Sequence, residues 1–169
     1  VLLKRQTVPT VLDAGALYLA GTLSQPTLIT PHAGELSKLF AERSIAVSSE
    51  LIEADPTSWA VKASQEFGVT VLLKGSKTVI AHEDHVIALP KATSWLATAG
   101  SGDVLAGIIG ALAATNYIEI LNSPSRLADV AATGAFIHNL AASMASNGAP
   151  ISASMITAQI PSAIRKIIT

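Results

Sequence analysis

The sequence predicts a layered α/β domain, a mostly parallel sheet with helices on both faces. Three observations carry this. Short apolar segments of strand character alternate with longer helical ones, an order that stacks as layers. The strand segments "TVL", "TLIT" and "VTVLL" are apolar almost without interruption, as strands buried on both faces should be. Half of the 169 residues are hydrophobic, 14% are charged and only 4% are aromatic. A sizeable core is therefore expected, built from Ala, Val, Ile and Leu in close-packed helices on a sheet.

The elements follow in order. Thr10 to Leu12 reads as a strand that ends in Asp13 and turns into a helix through "AGALYLAG". The pattern repeats with a strand over Thr27 to Thr30, a turn at Pro31 and a helix from about Gly34. Ser48 or Ser49 is the next N-cap, Gly68 the stop signal, and Pro56 divides the helical stretch between them. A strand, a turn at Lys74 to Ser76, a second strand, a polar turn at Glu83 and Asp84, and a third short strand come next. Beyond Gly100 everything reads as helix: Ser101 to about Tyr117, Pro124 to about Asn147, and Ser152 to Ile168. The first of these is apolar nearly all round and is expected to be buried. No repeat or linker interrupts the chain, so residues 1–169 read as one domain. The strand count is small for this architecture and the chain starts with Val1. Upstream sequence completing a longer domain is therefore expected.

Charge narrows the function classes. Eleven basic residues against twelve acidic ones give a net charge of -1, which offers no electrostatic footprint for nucleic acid or an anionic membrane. The chain has no cysteine, so neither a disulfide framework nor thiolate chemistry is available. This composition fits a reducing compartment, and a cytoplasmic location is expected. The longest apolar run, Val104 to Ala114, is too short to span a bilayer.

The stretch "ATAGSGDVLAGIIGALAA" (Ala97 to Ala114) is the most informative. Gly100, Ser101 and Gly102 leave room for backbone N–H groups to approach a ligand closely. The helix behind them points its positive end at the same place. Together they form an anion hole suited to phosphate. Asp103 has two readings at this stage. It can cap the helix, stabilised by the dipole, or serve as a base on a hydroxyl that attacks bound phosphate.

Four further strings join this one. "VLDAGALYL", "LITPHAGELSKLF", "VLLKGSKTVI" and "FIHNLAASMASNGAPISASMITAQIPSAI", in that order around the Gly-rich turn, resemble the ADP- or ATP-dependent NAD(P)H-hydrate dehydratases. These are metabolite-repair enzymes of the ribokinase-like superfamily. The resemblance covers essentially the whole chain but only the later part of a family member. Departures are modest: Ala99 and Ser101 stand where a Gly and a Thr are usual, Ala33 where Pro is common, and Gly15 where a second Asp is common. Ser101 keeps a small size and a hydroxyl.

The resemblance implies a ribokinase-like fold, Mg²⁺, ADP or ATP as phosphate donor, and hydrated NADH or NADPH as substrate. It implies that Asp103 is the catalytic base and that His32 and Asp103 bind substrate. It places nucleotide on Lys74, Gly75, Ser76, Lys77, Thr78 and Gly102, with Lys74 or Lys77 meeting phosphate charge. Glu35 is a candidate for Mg²⁺ held through water, against the plainer role of a first-turn acid. A homo-oligomer and an epimerase, fused or separate, also follow as expectations. Two rivals stand beside this reading: a vitamin or sugar kinase of the same superfamily, and a nucleotide-binding domain without catalysis. His32 argues against the kinase, because those enzymes usually carry Asn there. The remaining residues are read more plainly. Asp13 is a turn former or structural acid, His82 and His85 belong to an exposed turn, and Trp59 and Trp95 pack. His138 is a helix residue that packs, faces solvent or lies near the nucleotide.

Overall fold

In a computed structural model that describes residues 3–169, the first three apolar segments become parallel neighbours. They are β1 (Thr10–Leu12), β2 (Thr27–Ile29) and β3 (Thr70–Leu73). Thr10 lies opposite Thr27, and Leu28 opposite Thr70. Each parallel crossover is long enough to carry helical structure, as parallel pairing requires. The link from β3 to β4 (Val79–His82) is only a short turn, so β4 pairs antiparallel, and β5 (His85–Ala88) does the same. The sheet order is β1-β2-β3-β4-β5.

Strand alternation divides the core between the two faces. Ile29, Val71, Leu73 and Val79 face α1 (Ala33–Glu42), α2 (Ser49–Ala54) and α3 (Pro56–Phe67). Phe40 centres this half, fully buried, with its ring 5.4 Å from Trp59 and 5.8 Å from Phe67. Burying such a side chain contributes about 2 kcal/mol. Leu28, Leu72 and Ile80 face the other way, onto α4 (Ser101–Thr115), α5 (Tyr117–Asn122) and α6 (Arg126–Ser146). The last helix, α7 (Ala153–Ile168), packs outside α4 and α6. At Gly134 the helices α4 and α6 pack tightly: a β-carbon there would lie 2.6 Å from Ile109 Cγ1.

The punctuation works as the residues dictate. Ser48 caps α2 by accepting from the Leu51 N–H, and Asp55 caps α3 by accepting from Ser58, with Pro56 in the first turn. Gly68 ends α3 with a left-handed φ of 62°.

Four expectations are corrected. The segment after Asp13 is a short 3₁₀ helix, Ala14–Leu19, and Asp13 gives it no side-chain cap; its carboxylate is engaged elsewhere. Helix α4 is buried only along Ser101, Leu105, Ile109 and Ala113. Val104, Ile108 and Leu112 are half covered by α7, and Gly107, Ala111 and Ala114 are exposed. The helix also stops at Thr115, and Asn116 separates it from α5. Trp59 packs as expected, whereas Trp95 is 40% exposed. Among the described residues no helix is long and apolar enough to cross a membrane.

Candidate functional site

Three parallel strands run the same way, so their C-terminal ends emerge side by side. Such ends are where open α/β sheets bind ligands. Here they deliver Asp13 after β1, Thr30 to His32 after β2 and Lys74 after β3. The strand pattern continues past the strands to fix these residues: Thr30 N–H donates to Leu12 O at 3.1 Å, and Lys74 N–H to Pro31 O at 2.8 Å.

The side chains then meet. Lys74 Nζ lies 2.9 Å from Asp13 Oδ1 and 3.8 Å from Glu35 Oε2. Thr30 Oγ1 donates to the same Asp13 oxygen at 2.7 Å. Burial pushes the Asp13 carboxyl up, but the hydrogen bonds from Lys74 and Thr30 and the lysine charge outweigh it. Asp13 is therefore held below the usual carboxylate range and stays ionised beside its lysine.

Helix α1 starts at this cluster and closes on itself. His32 Nδ1 accepts from the Gly34 and Glu35 N–H groups at 3.1 and 3.3 Å, and Glu35 Oε2 accepts from the His32 N–H at 2.8 Å. This is a reciprocal capping box. Since Nδ1 accepts, the proton of neutral His32 resides on Nε2. Nε2 lies 3.5 Å from Glu35 Oε2, and the side chain as a whole is 59% exposed.

Helix α4 starts differently. Gly100 precedes it with a left-handed φ of 81°, and no side chain caps it. The Gly102 and Asp103 N–H groups belong to a first turn that has no intrahelical acceptors. Gly102 abuts the charged cluster: a β-carbon there would sit 3.5 Å from Asp13 Oδ2 and 3.6 Å from Lys74 Nζ. Asp103 does not cap the helix. Its side chain is exposed and curls back toward Gly100, with Oδ2 3.9 Å from where a Gly100 β-carbon would be.

A cavity of about 700 Å³ opens beside this turn. Lys74, Gly75, Ser76 and Thr78 line one side of it, and Ser101 and Gly102 line another. His32 is at its rim, and residues 91–94 and 96–98 form a further wall. The far wall comes from α6, through Ala135, His138 and Asn139. Asp103 is not among the lining residues, and Lys77 lines a separate cavity near α2 and α3. The structure thus gathers His32, Lys74, Gly75, Ser76, Thr78, Ser101 and Gly102 at one cavity. Glu35 is tied to His32 and Lys74 beside it. His82 Nδ1 lies 2.8 Å from Thr70 Oγ1 and His85 Nε2 3.5 Å from Asp129, both remote from this cavity's lining.

Sequence reasoning missed Asp13 as a site residue, though an acid directly after a strand was a usable signal. It also missed the loop after β5 and Asn139, for which the sequence carried no comparable mark.

Comparisons with known proteins point to one family. A family model described as NAD(P)H-hydrate dehydratase matches residues 2–166. A bifunctional NAD(P)H-hydrate repair enzyme of Corynebacterium glutamicum is 40% identical over 184 residues, covering 94% of this chain and 32% of the relative. An ADP-dependent (S)-NAD(P)H-hydrate dehydratase of Neisseria meningitidis is 33% identical over 175 residues, covering 98% and 55%. The chain thus spans between a third and about half of these relatives. An ADP/ATP-dependent NAD(P)H-hydrate dehydratase of Bacillus subtilis, co-crystallised with ATP and Mg²⁺, shares the fold. Its TM-score is 0.79 at 23% identity, over 97% of this chain and 57% of that one.

Proposed function

The chain belongs to the NAD(P)H-hydrate dehydratase family, and we propose that it carries out nucleotide-dependent dehydration of hydrated NADH or NADPH. The observation that carries this reading is the uncapped α4 terminus at Gly100–Gly102, set against Lys74 at the mouth of a cavity of about 700 Å³. Unsatisfied N–H groups, a helix dipole and a lysine at one point suit a polyphosphate. The ADP-dependent dehydratase relative supports nucleotide as the phosphate donor.

In this mechanism the terminal phosphoryl group of ADP or ATP passes to the hydroxyl oxygen on the hydrated nicotinamide ring. Asp103 takes the hydroxyl proton as the oxygen–phosphorus bond forms and the bond to the nucleotide breaks. Inorganic phosphate then departs with the carbon–oxygen electron pair. The adjacent ring carbon gives up a proton, and the double bond of NADH or NADPH is restored. The Gly-rich turn holds the charge of the transferring group, which is the main demand of phosphoryl transfer. An exposed Asp103 that caps nothing is free for this role. His32, fixed through Nδ1, offers Nε2–H to substrate.

Mg²⁺ suits the oxygen donors here, since Asp13 and Glu35 both face Lys74 at the phosphate end. Glu35 would hold it through water, and the ion would neutralise phosphate charge. We place the activity in the cytoplasm. The relatives called bifunctional support an epimerase encoded with it.

The test mixes the full chain with hydrated NADH, Mg²⁺ and either ADP or ATP and follows the return of reduced-nicotinamide absorbance. Recovery that depends on nucleotide is expected, with a loss of about 10²–10⁴-fold in Asp103→Asn. Undiminished activity in that variant removes Asp103 as the base. A stable phosphorylated product in place of NADH identifies a kinase.

A further inference from the structure

Lys77 is the one residue expected at the nucleotide that the first cavity leaves out. It lines a second cavity of about 780 Å³, between the Lys74–Lys77 turn and the junction of α2 with α3. The two cavities share His32, Lys74, Gly75 and Ser76, and their other walls differ. The turn after β3 is thus a partition with space on both sides, and Lys74 stands at it.

The reaction proposed above needs two molecules bound at once, a phosphate donor and a dinucleotide. Each cavity has the size that takes one small-molecule ligand. The α4 terminus, through Ser101 and Gly102, lines only the first, so the donor belongs there. The second cavity offers a different set of groups: the Lys77 ammonium, the Glu53 carboxylate, and apolar surface from Ile52, Pro56 and Leu73. Each suits one part of a dinucleotide's tail. A lysine meets pyrophosphate charge, and apolar walls hold a flat heterocycle. A carboxylate accepts from a free ribose 2′-hydroxyl and repels a 2′-phosphate.

Resting on the dehydratase reading above, we propose that the α2–α3 cavity binds the adenosine diphosphate half of the hydrated dinucleotide, with Lys77 on its pyrophosphate and Glu53 on its adenosine ribose. The hydrated ring then lies at the shared rim with His32, and the donor's terminal phosphate meets it across Lys74. A β-carbon on Gly102 would lie 3.6 Å from Lys74 Nζ, so this lysine stands between two polyphosphates and offsets their repulsion. Glu53 makes hydrated NADH the preferred substrate over hydrated NADPH.

Steady-state kinetics of the full chain with ADP, Mg²⁺ and either hydrated substrate test this, and calorimetry follows ADP binding alone. ADP-ribose, which carries the dinucleotide's tail without the nicotinamide, is the inhibitor. It is expected to compete with hydrated NADH and not with ADP. In Lys77→Ala the KM for hydrated NADH should rise about tenfold while ADP affinity holds. In Glu53→Gln the preference for hydrated NADH should fall about tenfold. Both side chains are exposed, so neither substitution disturbs the core. If Lys77→Ala weakens ADP binding and leaves that KM unchanged, Lys77 serves the donor and the proposal fails. If ADP-ribose competes only with ADP, the α2–α3 cavity is not the substrate's, although the dehydratase reading stands. An unchanged preference in Glu53→Gln overturns the ribose contact. If the unmodified chain binds ADP but returns no NADH, the dehydratase reading itself falls and takes this one with it.

Discussion

Two helices begin within reach of one lysine, and they begin in opposite ways. Helix α1 opens with His32 and Glu35 closing its first turn against each other. Helix α4 opens with a left-handed glycine and no side-chain cap. The first solution stabilises the protein in isolation. The second leaves its first-turn N–H groups to water or to a ligand. The residue types explain the difference. A cap needs a side chain that reaches back to the turn, and Gly100 has none, while Asp103 lies three residues inside and turns away from that task. One terminus holds a side chain still; the other is left open.

The contrast can be broken most severely at Gly100. In Gly100→Ala the new β-carbon must occupy a left-handed conformation and would sit 3.1 Å from Ala153 Cβ. A loss of about 1–2 kcal/mol is expected in urea unfolding, together with loss of ADP binding by calorimetry. Unchanged ADP affinity would show that the turn does not hold the phosphate.

The group behind the open terminus gives a pH signature. His138 has a folded value of about 4 against an ordinary 6.5. Between these limits the unfolded chain binds the extra proton, so stability rises with pH. The full contribution is present above about pH 6.5 and is lost as pH falls toward 4. The swing is at most about 3 kcal/mol. Urea midpoints at pH 7 and pH 4.5 should therefore differ more in the unmodified chain than in His138→Gln. Equal differences would mean that the imidazole is not held neutral by burial.

The closed terminus should respond more modestly. His32→Ala removes the cap and should cost about 1 kcal/mol of stability. It should also weaken turnover of hydrated NADH while ADP affinity is retained. The smallest stability effect is expected at Gly102→Ala. Its β-carbon would meet Asp13 and Lys74 at 3.5 and 3.6 Å, ordinary contact distances. The melting temperature should hold, while the methyl group stands where phosphate approaches and ADP binding falls. A fall in stability without a fall in affinity would place the anion elsewhere.

Much of this was legible in the chain, because it is local. Thr10–Leu12, the cap at Ser48, the break at Pro56 and the stop at Gly68 each depend on a few neighbouring residues. The Gly-Ser-Gly turn announced itself for the same reason. What stayed hidden joins distant positions. Asp13 and Lys74 are 61 residues apart, and only the sheet order makes them partners. Helix α4 read as wholly apolar, but composition cannot say which sides find neighbours. Nor could any periodicity mark His138, one residue in a helix of mixed burial, as the wall of a cavity.

Gly134 and His138 lie one helical turn apart on α6, and both face α4, the first against Ile109 and the second against Ser101. The missing side chain at Gly134 lets the two helices lock together about 6 Å along the axis from the imidazole. The pair therefore joins a tight contact inside the core to the Gly-rich turn at the start of α4. A methyl group added at Gly134 would lie 2.6 Å from Ile109 Cγ1 and push α4 and α6 apart. The distance between the two helices is in this sense set by an atom that is not there.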